Sequence, residues 1–192
     1  MRKLKYSLYK AFINSLGHTP FLNFIINNFS EFQIEMDETA EVESKTEIIG
    51  NVSIGPECYI SGDSRLRGEI TLEAGSSING SVDMRGSITL GEGTAVNGEN
   101  ILKGSVDVGK YCMIAPRARI RTTDHDTSKA GMNTGLYDEM GLRLPSVSGG
   151  TVRIGHDVWV CSDAKILSGV YVGHGAIIAS NAVVVDDVDQ YS

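Results

Sequence analysis

From Thr46 onward a large aliphatic side chain returns at every sixth position, beginning Ile48, Ile54, Ile60, Leu66 and Leu72 and reaching Ile120 without a slip. Two residues before each stands a small or β-branched partner, Thr46, Val52, Cys58 and Ser64 being the first, with Asn100 the one exception. Residues two apart in an extended strand point the same way. Each hexad therefore predicts a short strand with two inward side chains, followed by a turn. Strands so short at so regular a spacing predict a parallel β-helix of hexapeptide repeats.

Glycines divide the hexads into threes. Gly50, Gly68, Gly86 and Gly104 fall in every third hexad, and so do Gly62, Gly80 and Gly98. A third set, Gly55, Gly91 and Gly109, follows its aliphatic residue more closely, with Glu73 as its exception. Glycine collects where the backbone turns with φ > 0. Three kinds of corner, each recurring once in three hexads, predict a three-sided prism. The beat stops at Ile120 and resumes in phase at Ile154, continuing to Val184. Residues 121–150 are thus read as a long loop thrown out from one corner, and loops of that length inside a compact domain are usually functional. The expectation is an all-β parallel β-helix of about six coils over 46–188.

Residues 1–45 read differently. Leu4, Leu8, Ala11, Phe12 and Leu16 form a helical stripe, and Thr19 with Pro20 reads as the start of a second short helix. A short helical cap and lead-in fits the need to cover the open first coil. Contact of the basic helix with a membrane surface is the weaker alternative. The composition suits one domain with a small appendage, and a net charge of −7 argues against a nucleic-acid partner. Cys58 and Cys112 point inward three coils apart, too far to bridge. With Cys161 they predict reduced thiols and a cytoplasmic location.

Candidate chemistry begins with Ile154-Gly155-His156-Asp157-Val158-Trp159-Val160, continues through Ile166-Leu167-Ser168-Gly169-Val170-Tyr171-Val172-Gly173, and ends in Ala176-Ile177-Ile178-Ala179-Ser180-Asn181-Ala182. Before it stands a loop carrying Asp124-His125-Asp126. This stretch resembles the hexapeptide-repeat acyltransferases, most of all those that acetylate sugars, antibiotics and other small hydroxyl compounds. The resemblance implies a left-handed coil, a homotrimer with active sites between neighbouring prisms, and acetyl-CoA as acyl donor with no metal. It makes His125 the general base toward an acceptor hydroxyl on a sugar-like small molecule, with Asp124, Asp126 or Glu139 orienting it. It places Trp159 against the pantetheine channel, and Ser162 and Ser180 in contact with CoA. The chain departs from the pattern at Cys161, where the family has glycine, and at Asp186, where it has lysine. The family also continues into a basic segment, so 189–192 reads as the start of a truncated one.

Two other readings compete. His156 and His174 lie three hexads apart and predict stacked imidazoles, as zinc ligands of a γ-carbonic-anhydrase-like enzyme would be; two such rings are half a site. A β-helix can also serve as a bare scaffold, but a scaffold has no evident use for the long loop.

Overall fold

A computed structural model describes residues 33–125 and 146–192. The strands of its coil form parallel ladders with a step of three hexads: Ile34 lies beside Val52, Val52 beside Ile70, Ile70 beside Ile88 and Ile88 beside Val106. Across the long loop the step lengthens, as Val106 pairs with Val152 and Met113 with Trp159. The ladder therefore closes over the insertion as if it were absent.

Three faces follow one another around each coil. The first carries the inward residues Met36, Ile54, Leu72 and onward to Val172. The second runs from Val42 through Ile60 and Ile114 to Val160 and Ile178, and the third from Ile48 through Leu66 and Ile120 to Val184. Nearly all are buried in one continuous apolar core. Asn100, the polar intruder, is also buried. Its Oδ1 accepts the Ala118 N–H at 2.7 Å and its Nδ2 donates to the Asn97 carbonyl at 2.7 Å, which meets the requirement for a buried amide.

The structure corrects the expected start. Strands at Ile34–Met36 and Glu41–Val42 pair with the coil above, so the helix begins before Thr46 and has about seven coils. Its first corners lack glycine, which hid them. Asp37 closes one instead, accepting the Thr39 N–H at 3.0 Å and hydroxyl at 2.8 Å; these bonds hold its carboxyl below the ordinary carboxylate range. The expected helical cap falls on residues outside those described.

A second correction concerns the third glycine set. Gly55, Gly91 and Gly109 do not adopt positive φ. They are there for room: a Cβ on Gly91 would come within 2.5 Å of the Gly109 carbonyl carbon in the next coil. The left-handed residue at this corner comes two places later and includes Glu57, Tyr111 and Asp157, with φ of 56°, 57° and 56°.

The loop leaves at Thr122, which occupies the corner place held one coil earlier by Gly104. Thr122 is buried and accepts the Ser105 N–H at 2.9 Å. Its own carbonyl accepts the Gly149 N–H at 2.7 Å. Between these points Thr123–His125 runs antiparallel to Ser146–Ser148. This ribbon roots the loop at the corner between the third face and the first, opposite the second.

Candidate functional site

Trp159 sits on the second face in the middle of an outward apolar column, with Met113 on one side and Ile177 on the other. Inward Val158 and Val160 anchor the strand, and the pleat then turns the indole outward, leaving it 47% exposed. Trp159, Met113, Tyr111, Asp157 and Val158 line a shallow open cleft of about 280 Å³. Tyr111 forms its wall. The ring lies over Gly93, where a Cβ would come 2.6 Å from its Cδ1, and its hydroxyl donates to Glu92 at 2.5 Å. Lys110 Nζ also reaches Glu92, at 3.0 Å. Tyr111 and Lys110 together hold the Glu92 carboxyl below its usual range, while the same bond raises the Tyr111 phenol.

Ser162 and Ser180 lie one coil apart at the corner that follows the second face, and the Asn181 N–H donates to the Ser162 carbonyl at 3.0 Å. Beside them Arg117 grips Asp163 through two bonds of 2.8 Å. Arg117 first, with Lys165 and Arg119 adding to it, lowers the Asp163 pKa. Trp159, Ser162 and Ser180 therefore share one edge of the last two coils. Sequence reasoning missed Tyr111 and Met113. The signal was available, because removing the insertion puts Met113 directly in register with Trp159.

His125 and Asp124 lie in the ribbon that roots the loop, paired through the backbone with Ser146 and Val147. Asp126 and Glu139 lie outside the described residues. The structure thus does not bring the histidine strand to the Trp159 face of the same chain: the two emerge on opposite sides of the prism.

His156 and His174 do stack, with ring centroids 4.8 Å apart and planes inclined by 28°. Each Nδ1 accepts a backbone N–H from the coil before, Lys110 to His156 at 2.9 Å and His156 to His174 at 2.8 Å. The pair tightens a corner, and one lone pair of each ring is already used. Among the described residues no three His, Cys, Asp or Glu side chains come together as metal ligands.

Cys58 and Cys112 are buried and Cys161 is half-buried near the cleft. Burial pushes the Cys112 thiol up, and its S–H donates to the Gly155 carbonyl at 3.0 Å. A disulfide reagent is expected to modify Cys161 alone in the folded protein and all three thiols in denaturant. Rapid loss of the Cys112 thiol under native conditions would contradict the closed coil.

Comparison with known proteins agrees with the repeat. Residues 151–186 match the family model described as bacterial transferase hexapeptide (six repeats). Chloramphenicol acetyltransferase of Escherichia coli is 51% identical over 43 residues, covering 22% of this chain and 20% of its own. A probable macrolide acetyltransferase of Lysinibacillus sphaericus is 34% identical over 92 residues, covering 43% of this chain and 51% of its own. Of solved structures, the polySia specific acetyltransferase NeuO is 16% identical with a TM-score of 0.43, covering 83% of this chain and 80% of that one. The chain spans from a fifth to about half the length of these curated relatives. A prism of stacked hexads with an outward tryptophan in its sixth coil is a hexapeptide-repeat protein. Residues 151–186 carry the hexapeptide repeat of bacterial transferases, and the chain resembles acetyltransferases over the parts matched.

Proposed function

We propose that the protein is a CoA-dependent O-acyltransferase that moves an acyl group, acetyl in the first instance, to a hydroxyl of a sugar or other small polar acceptor. One observation carries this reading: the apolar Trp159 cleft and the ribbon bearing His125 lie on opposite sides of one prism. Neither is a site alone. Copies arranged around a threefold axis would bring the loop of one chain to the cleft of the next, which supports a homotrimer with its sites between subunits.

Each residue then has a task. Met113, Trp159 and Ile177 offer an apolar track for the pantetheine arm of acetyl-CoA, and Ser162 and Ser180 lie at the adjoining corner. His125 accepts the proton of the acceptor hydroxyl as its oxygen attacks the thioester carbonyl. The C–O bond forms, the C–S bond breaks, and the departing thiolate takes up the proton to leave as free CoA. Asp124, Asp126 or Glu139 fixes the imidazole tautomer. Such chemistry belongs in the cytoplasm, where acetyl-CoA is available and the three thiols stay reduced.

The test is thiol release from acetyl-CoA in the presence of a panel of sugars. The expected result is release that depends on the acceptor, from a particle three times 20.7 kDa in mass, with bound CoA shielding Cys161 from modification. Release with amines only would replace the O-acyl reading, and no release with any acceptor would reject acyl transfer.

A further inference from the structure

The chain carries 17 basic against 24 acidic residues, yet its third face reverses that balance. Outward positions on this face hold seven cations and two carboxylates, Glu47 and Asp83. Both carboxylates are engaged near the start of the coil. Glu47 takes Arg67 through bonds of 2.9 and 2.8 Å with Arg65 at 3.6 Å, and Asp83 takes Arg85 at 2.8 and 2.7 Å.

Further along, direct pairing on this face ends, and the nearby corner carboxylate Asp163, which Arg119 and Lys165 influence through space, is bonded to Arg117. Lys103, Arg119, Arg121 and Lys165 are all exposed, and among the described residues none of the four forms an ion pair. They are also close together. Arg121 lies beside Lys103 and Arg119 beside Lys165 in neighbouring strands, about 4.8 Å apart along the coil. Arg119 and Arg121 point outward from the same strand. Like charges facing one another across adjacent strands are destabilising, so this arrangement favours an anion from outside.

We infer that this quartet is the recognition site for an acidic acceptor, a sugar chain bearing a carboxylate on each residue. The inference rests on the acyl-transfer reading and narrows its substrate. Two further features support it. The patch ends at Arg121, immediately before Thr122, where the loop carrying His125 leaves the prism. The outward residues of this face include no aromatic side chain, so the stacking platform that single-stranded nucleic acid uses is missing.

The experiment measures binding of hexagalacturonate, neutral maltohexaose, a thymidine hexanucleotide, vesicles containing anionic lipid, and CoA to the full chain and to a Lys103→Glu/Arg121→Glu variant. Hexagalacturonate should bind the unaltered protein, weaken as salt rises, and lose about tenfold or more in affinity in the variant. Maltohexaose should not bind, and CoA affinity and particle mass should be the same in both proteins. Equal binding of maltohexaose, or binding of the oligonucleotide or vesicles as tight as that of hexagalacturonate, overturns the proposal. A matching loss of CoA affinity would make the patch the donor's phosphate site, and a change in particle mass would make it a subunit contact; either overturns it. Should hexagalacturonate not bind while acyl transfer to neutral sugars proceeds, this inference fails and the acyl-transfer reading stands. Should no acyl transfer occur while hexagalacturonate binds as described, the acyl-transfer reading fails and the quartet is a binding site for acidic sugar chains but not for an acceptor.

Discussion

Replacing His125 by alanine is expected to lower acceptor-dependent thiol release by about 10²- to 10⁴-fold, the contribution usual for a positioned general base. Coil stability and CoA binding should be unchanged, because the residue belongs to the ribbon beyond the corner, outside the repeating ladder. The control is mixing. Trp159→Ala removes the indole from the cleft and should also impair turnover. If each site takes its histidine from one copy and its tryptophan from the next, co-refolding the two impaired variants restores about a quarter of the sites, as random assortment in a head-to-tail ring requires. Mixtures no more active than their parents would place both groups in one chain and dismiss the intersubunit site. Equal thiol release by the unaltered protein and His125→Ala would remove the histidine from the mechanism.

Gly86→Ala should cost about 3 kcal/mol or more, enough to unfold a marginal domain. Two effects combine there. The backbone has φ of +127°, a region closed to ordinary L-residues, and an added Cβ would collide with the Gly104 carbonyl oxygen and lie 2.9 Å from its carbon. The strand cannot retreat, because it is hydrogen-bonded to a coil on either side. Gly75→Asn is the matched control. Its φ of +66° suits asparagine, and nothing lies closer than 4.0 Å to the added carbon, so the loss should stay within about 1 kcal/mol. Glu57 and Tyr111 already hold that corner in other coils. Urea unfolding of the three proteins decides the matter, and similar midpoints would mean that the corners are softer than their geometry indicates.

Most of the fold was readable because one rule recurs. A side chain at six-residue spacing has no choice of face, and Ile54, Ile60 and Leu66 each meet the same surroundings again one full coil later. The opening coil escaped notice because Asp37 replaces a glycine by bonding to Thr39, a local solution that leaves no periodic trace. Gly91 was correctly placed at a corner for the wrong reason, since a motif shows that a Cβ is excluded but not whether torsion or proximity excludes it. The site divided similarly. Ser162 above Ser180 follows from the step of the coil, and Trp159 pointing outward follows from the pleat. Tyr111 and the cationic quartet needed neighbours joined across the insertion, where distance along the chain stops reporting distance in space.

The bond from Gly149 to the Thr122 carbonyl has a consequence for how such proteins diversify. The two ends of the loop leave side by side, joined by this bond and by the short antiparallel ribbon beyond it, while the ladder beneath runs on uninterrupted. Length and composition in between can be exchanged like a tool in a fixed handle, without any change to the spindle that carries them.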